Sequence, residues 1–190
     1  YRVPAILIFN KIDLLTEEEL AQLADLRALY ESLGYKTVEL SAISLQPSDL
    51  SPLLEGKTTL LSGNSGVGKS TLLNALFGRE TTRTGKYSDA HDKGMHTTAF
   101  SEMYLLPNGR IIDTPGIKGF GTIDFEKEEV SHYFREIFEA GRECRFGNCT
   151  HTNEPGCAVQ ERIITGDIAI SRYESYLSIL NDATEGKYRA

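Results

Sequence analysis

Eight residues, Gly63-Asn64-Ser65-Gly66-Val67-Gly68-Lys69-Ser70, have the spacing Gly-x4-Gly-Lys-Ser, with an apolar run before them and a helix-forming run after. Glycines at those places let successive backbone N–H groups turn inward on phosphate oxygens, and the helix that follows adds its positive end. In such a loop Lys69 reaches the β- and γ-phosphates, the Ser70 hydroxyl meets Mg2+, and Thr71 sits at the helix start. A second short motif, Asn10-Lys11-Ile12-Asp13, ends another apolar run. Two carboxylate oxygens on Asp13 match the adjacent N1–H and N2–H donors of guanine, whereas adenine would leave them buried and unpaired. Asn10 is expected to brace that loop and the Lys11 stem to cover the base face. Ser41-Ala42 ends the next strand, where the Ala42 N–H is expected to meet guanine O6.

Asp113-Thr114-Pro115-Gly116 follows the run "GRIID". There Asp113 is expected to hold Mg2+ through water and the Gly116 N–H to contact a γ-phosphate. Thr97 or Thr98, in "HTT", is the candidate for a hydroxyl on Mg2+, with Thr97 placed first. Many GTPases carry a water-orienting Gln directly after that glycine; here the residue is Ile117, so intrinsic hydrolysis is expected to be slow. His96 is the candidate in cis to orient or deprotonate water, and an exposed loop histidine is the equally weighted alternative.

Further on, Cys144-x4-Cys149-x-His151-x5-Cys157 uses all three cysteines of the chain. Three sulfurs and an imidazole make a complete tetrahedral set for one structural zinc ion, with no open position for chemistry. The segment is rich in Gly, Pro and Asn, so a metal would fix a loop that has no core of its own. Arg142, Arg145 and Phe146 project from this region; contact with RNA, solvation and packing all remain open for them.

The elements that must hold these residues alternate. Apolar runs at 3–9, 36–42 and 57–63 read as strands. The stretch 16–34 reads as a helix with Thr16 and Glu19 as its capping pair and Gly34 as its stop, and 69–78 as a helix closed by Gly78. Residues 48–56 read as a turn or short helix, and 98–116 as two strands joined by a Pro-Asn-Gly turn. Such alternation predicts a doubly wound, mostly parallel α/β sheet with its site at the strand C-terminal ends. After about residue 122 the pattern turns helical around the Cys/His loop. This divides the chain into a nucleotide-binding domain, 1–122, and a zinc-binding helical domain, 123–190. The loop 79–97 has no periodicity, and a loop of that length usually serves function.

A chain of 190 residues with 40% hydrophobic and 25% charged residues fits a water-soluble globular protein. No run approaches the length of a membrane span, and the N-terminal stretch shows no charged-then-apolar leader, so a cytoplasmic protein without membrane contact is expected. The net charge of −7 means that any nucleic-acid contact is local or rests on other parts. Because the chain starts inside an apolar run, further N-terminal sequence is expected.

In order, the motifs run base reader, Ser-Ala loop, phosphate loop, switch threonine, Asp-Thr-Pro-Gly, which is a circular permutation of the usual GTPase order. With the Cys/His set behind it, the chain resembles the ribosome small subunit-dependent GTPase A (RsgA) family over nearly its whole length. The resemblance rests on "GNSGVGKSTLLNAL", "HTT", "IIDTPGI", "CRFGNCTHTNEPGCAV" and "SRYESYL". It implies an α/β circularly permuted P-loop GTPase domain with a small helical zinc-binding module. It also implies hydrolysis of GTP to GDP and phosphate late in small ribosomal subunit maturation, stimulated by the subunit and coupled to release of the factor. The implied partners are the small ribosomal subunit and its rRNA, with the protein a monomer. Family members also carry an N-terminal OB-fold and a strand and helix ahead of the base reader, so the sheet here is expected to lack one strand. Ala99 stands where members commonly have another Thr. Two other readings stay open: a GTP-gated scaffold with little turnover, and a P-loop ATPase of different role.

Overall fold

The computed structural model describes residues 3–77, 102–107, 109–114 and 126–185. Its elements form two compact units: residues 1–28 with 35–119, and residues 29–34 with 120–190.

In the first unit, β1 (Ile6–Asn10) pairs in parallel with β2 (Lys36–Leu40). A separate three-stranded sheet has β5 (Gly109–Asp113) at its centre, parallel to β3 (Thr58–Leu61) and antiparallel to β4 (Glu102–Leu106). Two of the three ladders are parallel, as the α/β alternation predicts, but among the described residues the strands form two sheets instead of one continuous sheet. Helix α1 (Glu17–Ser32) starts where the sequence indicates, because Thr16 and Glu19 satisfy each other's backbone N–H groups. The turn after it closes on Gly34 at φ +81°. Helix α2 (Pro47–Leu54) has Gln46 N–H bonded to Asp49 Oδ2 at 3.0 Å. Helix α3 (Lys69–Phe77) follows the phosphate loop. The core lies between α2, α3 and the strands, built from Leu40, Ala42, Leu50, Leu72, Leu73, Leu76 and Ile111. Burial of its leucines contributes roughly 1.5–3 kcal/mol each, and this fixes the strand ends that carry the polar loops.

The second unit packs a 3-10 helix (Lys127–Tyr133), α4 (Arg135–Gly141), α5 (Ala158–Thr165) and α6 (Ile170–Glu185) around Val130, Phe134, Ile137, Val159, Ile168, Tyr176 and Leu180. The helical pattern after residue 122 is not one continuous helix among the described residues 126–144, since Phe134 adopts an extended backbone (φ −115°, ψ 100°) between two shorter segments. That break lets Val130, Phe134 and Ile137 all reach the core. Arg172 enters this core paired with Glu136 at 2.6 Å, both side chains nearly buried. Its guanidinium lies 4.7 Å from the Phe134 ring centre and 5.5 Å from that of Tyr30. No helix among the described residues is long and apolar enough to cross a membrane.

Candidate functional site

The C-terminal ends of β1, β2 and β3 bring three loops into hydrogen-bonding reach, and Asn10 joins them. Its Nδ2 donates to Val67 O in the phosphate loop at 2.8 Å, and its Oδ1 accepts from the Ala42 N–H at 3.0 Å. Lys11, in left-handed backbone at φ 68°, donates through Nζ to Gly66 O at 2.7 Å. Ser41 donates its hydroxyl to Asp13 Oδ1, and the Asp13 side chain is exposed. The expectation for Ala42 therefore needs adjusting: its N–H is engaged by Asn10, and guanine O6 would have to share it.

In the phosphate loop, Gly66 and Gly68 take φ of +81° and +99°, conformations that a side chain resists. At Gly68 the restriction is double, because a Cβ there would run into the Asn10 carboxamide. Gly63 meets Val67 closely, a Cβ lying 3.1 Å from Val67 Cγ2. Asn64 and Ser65 complete the turn into α3, whose first bond runs from Leu72 N to Gly68 O at 2.9 Å. Lys69 curls over the loop and donates to Gly63 O at 2.5 Å and Asn64 O at 3.0 Å. Ser70 and Thr71 follow in the first turn of α3, half-buried.

Asp113 ends β5 beside this loop, and Thr114 bonds back to β3 through Oγ1 on Leu61 O at 2.9 Å. Oδ1 of Asp113 is buried without a hydrogen-bond partner in the structure. Burial raises its pKa, the Lys69 ammonium works against that rise, and Glu102 adds to it. An orphaned carboxylate oxygen next to a phosphate loop fits a hydrated divalent cation, so the residues present are compatible with Mg2+. His96, Thr97, Thr98, Gly116 and Ile117 lie outside the described residues.

In the second unit the Cys/His set converges. The ligand atoms of Cys144, Cys149, His151 and Cys157 all lie within 4.8 Å of one another. His151 Nδ1 sits 3.6 Å from both Cys144 Sγ and Cys157 Sγ, which are 3.9 Å apart. Zinc bonded tetrahedrally at about 2.3 Å to sulfur and about 2.0 Å to nitrogen sets the N–S and S–S separations at about 3.5 and about 3.8 Å. The donor set thus fits zinc in type and number, and Cys144, His151 and Cys157 fit it in spacing.

The residues that hold this loop are not evident from ligand spacing alone. Glu154 accepts from the backbone N–H groups of Thr150 (2.7 Å), Thr152 (2.9 Å) and Asn153 (3.0 Å) and from the Thr150 hydroxyl (2.6 Å). Although burial works to raise its pKa, those bonds bring it down to about 2. Tyr173 and Tyr176 of α6 donate to His151 O (2.6 Å) and Thr150 O (2.8 Å). His151 stands at φ 60°, a strained conformation that its carbonyl partner helps to hold. Gly141 makes room for the imidazole, since a Cβ there would lie 3.1 Å from His151 Cε1. The only sequence signal for Glu154 is its place among hydroxyl residues in "CTHTNEPGC". At the exposed rim, Arg142 lies over Phe138 at 4.9 Å and Arg145 over Phe146 at 5.4 Å.

Comparison with known proteins extends this geometry. The model of the RsgA GTPase family matches residues 1–123. Small ribosomal subunit biogenesis GTPase RsgA of Porphyromonas gingivalis is 57% identical over 100% of this chain and 62% of its own length. The RsgA of Phocaeicola vulgatus is 55% identical with the same coverage. Among solved structures, YjeQ from Thermotoga maritima superposes with a TM-score of 0.76 at 33% identity, covering 96% of this chain and 61% of the other. YloQ, described as a circularly permuted GTPase, gives 0.74 at 29% identity, covering 97% of this chain and 58% of its own. The chain thus spans about three-fifths of the length of these relatives. With the permuted motif order and the α/β architecture in agreement along the matched residues, this chain belongs to the RsgA GTPase family.

Proposed function

We propose that the protein is a GTP hydrolase that acts in the maturation of the small ribosomal subunit, with hydrolysis stimulated by the subunit and coupled to release. The observation that carries the nucleotide half of this reading is the Asn10 carboxamide, which joins the base-reading strand end, the Ser-Ala loop and the phosphate loop. The partner half is supported by the names of the relatives, small ribosomal subunit biogenesis GTPases.

In this mechanism Asp13, oriented by the Ser41 hydroxyl, pairs with the guanine edge, and Lys11 covers the base. Lys69 leaves its loop carbonyls for the β- and γ-phosphate oxygens, and the backbone N–H groups of residues 64–69 surround the phosphates. The Ser70 hydroxyl, Asp113 through water and Thr97 or Thr98 would hold Mg2+, which neutralises charge developing on the phosphates. Water attacks the γ-phosphorus in line, oriented by His96 or by a group supplied from the ribosome, since Ile117 offers none. The bond from the γ-phosphorus to the β,γ-bridging oxygen breaks, GDP leaves, and the water's proton ends on the released phosphate. The Gly116 N–H receives the γ-phosphate. Cys144, Cys149, His151 and Cys157 would hold one zinc ion that stabilises the loop bearing Arg142, Arg145 and Phe146, and those three residues face rRNA. The division into a GTPase domain, 1–122, and a zinc-binding domain, 123–190, belongs to this reading, as do a cytoplasmic location and a monomeric state.

Two binding experiments test it with the full-length protein. GDP should bind at least about 100-fold more tightly than ADP, because adenine leaves the Asp13 carboxylate unpaired. Equal affinity would favour an ATPase-type site. Co-sedimentation with purified small subunits should be strong with a non-hydrolysable GTP analogue and weak with GDP. Binding that ignores the nucleotide would contradict coupling to release. Ile117 favours a second reading, a GTP-gated scaffold without turnover; a vanishing hydrolysis rate in the presence of subunits would select it.

A further inference from the structure

Strand β4 enters its ladder with Glu102 directly opposite Asp113. Residues opposed in an antiparallel pair leave the same face of the sheet, so the two carboxylates share one side. Tyr104, two residues along and on that face, donates its hydroxyl to Glu102 Oε2 at 2.7 Å. The Tyr104 ring is itself seated on Phe77, the last residue of α3, with ring centres 5.4 Å apart. A line of contacts thus runs from the helix after the phosphate loop, through Tyr104, to a carboxylate beside Asp113.

Like charges directly across a ladder destabilise it, so this pairing works against β4 unless something positive offsets it. Lys69 acts on Asp113 with a single charge, and its ammonium is bonded to Gly63 O and Asn64 O. Meanwhile Asp113 Oδ1 stays buried with no partner. A face with two carboxylates, one of them orphaned and the other held by a tyrosine, is suited to a divalent cation and its water shell.

We propose that Glu102, held by Tyr104, is a positioning residue of the magnesium site, acting through the cation's water shell to tighten Mg2+ and to tie the seating of β4 to cation binding. The proposal rests on the reading of Asp113 as the residue that holds Mg2+. It carries a pair of effects with opposite sign. Neutralising Glu102 weakens cation binding, yet stabilises the metal-free protein by removing the repulsion across the ladder.

The test uses the full-length protein loaded with a fluorescent GDP analogue. Release is followed as free Mg2+ is varied, and denaturation midpoints are taken in EDTA. For Glu102→Gln, the Mg2+ concentration giving half-maximal retention should rise about threefold to tenfold, the range expected for one charge acting across a water shell. Release in EDTA should be unchanged, and the metal-free midpoint should rise. Tyr104→Phe keeps the charge but loses its hold, so it should shift the Mg2+ requirement the same way by less. A Glu102→Gln requirement within twofold of the parent, or a lower metal-free midpoint, would overturn the proposal. Asp113→Asn separates the two levels. If Asp113→Asn keeps the parent's Mg2+ dependence, or the parent shows none, the reading of Asp113 falls and takes the proposal with it. If the parent depends on Mg2+ and Glu102→Gln matches it, only the role of Glu102 falls.

Discussion

At the scale of single residues, Asn10 and Gly68 act as one device. The carboxamide reaches Val67 O only because Gly68 has no Cβ in its way, and Gly68 holds φ +99° only because it is glycine. Gly68→Ala combines backbone strain of about 1–3 kcal/mol with displacement of Asn10, so GDP affinity by titration should fall at least about tenfold. Asn10→Asp retains an acceptor for the Ala42 N–H but loses the donor to Val67 O, whereas Asn10→Ala loses both. At roughly 1 kcal/mol per bond, affinity should drop about fivefold for the first and about thirtyfold for the second. Glu154 gives a prediction in pH. Its folded pKa, about 2, lies below the usual 4.5, so its contribution to stability is complete above the higher value and disappears as pH falls toward the lower one. The difference in denaturation midpoint between the parent and Glu154→Gln should therefore be largest near pH 7 and shrink steadily below pH ~4.5. A difference that grew on acidification would contradict this account of the loop.

At the scale of elements, local chemistry was readable and tertiary closure was not. The Thr16–Glu19 cap, the Gly34 stop and the glycine-bearing phosphate loop are written in contiguous residues, and each appears where its sequence places it. By contrast, the Asn10–Val67 bond spans 57 positions and depends on how β1 and β3 come together, which no local pattern records. Helix α5 was hidden for a different reason: it begins directly after the ligand Cys157 and runs only eight residues, too short for periodicity to declare itself. The break at Phe134 was also invisible, because the helical pattern continues through it and only the demands of the core pull the backbone out. These elements are held from within by the Cys/His set and by Arg172 with Glu136. Removing Glu136 leaves a guanidinium nearly buried without its partner, so Glu136→Ala should cost about 3–5 kcal/mol in chemical denaturation. Exhaustive chelation should release one zinc per chain and reduce the helical signal of the second unit. Gly141→Ala should weaken metal retention, because the added methyl meets a His151 ring held close to the metal ligands.

At the scale of the molecule, a permuted chain still brings the same loops together, because the loops proposed to read base and phosphates sit at strand ends whatever order joins them. With a net charge of −7, the ribosome contact proposed above has to be local or rest on other parts of the full-length protein, and the exposed Arg142 and Arg145, each set over a phenylalanine ring, are the local features to test for it. With Ile117 in place of a water-orienting side chain, the proposed hydrolysis takes its water-orienting group from His96 or from the ribosome, and stimulation by the subunit separates the two. The measurement that tests this most directly is multiple-turnover GTP hydrolysis by the full-length protein, alone and with purified small ribosomal subunits. The account predicts slow turnover alone and stimulation of at least about tenfold by the subunits, abolished in Lys69→Ala. A rate unchanged by subunits, or fast turnover without them, would contradict it.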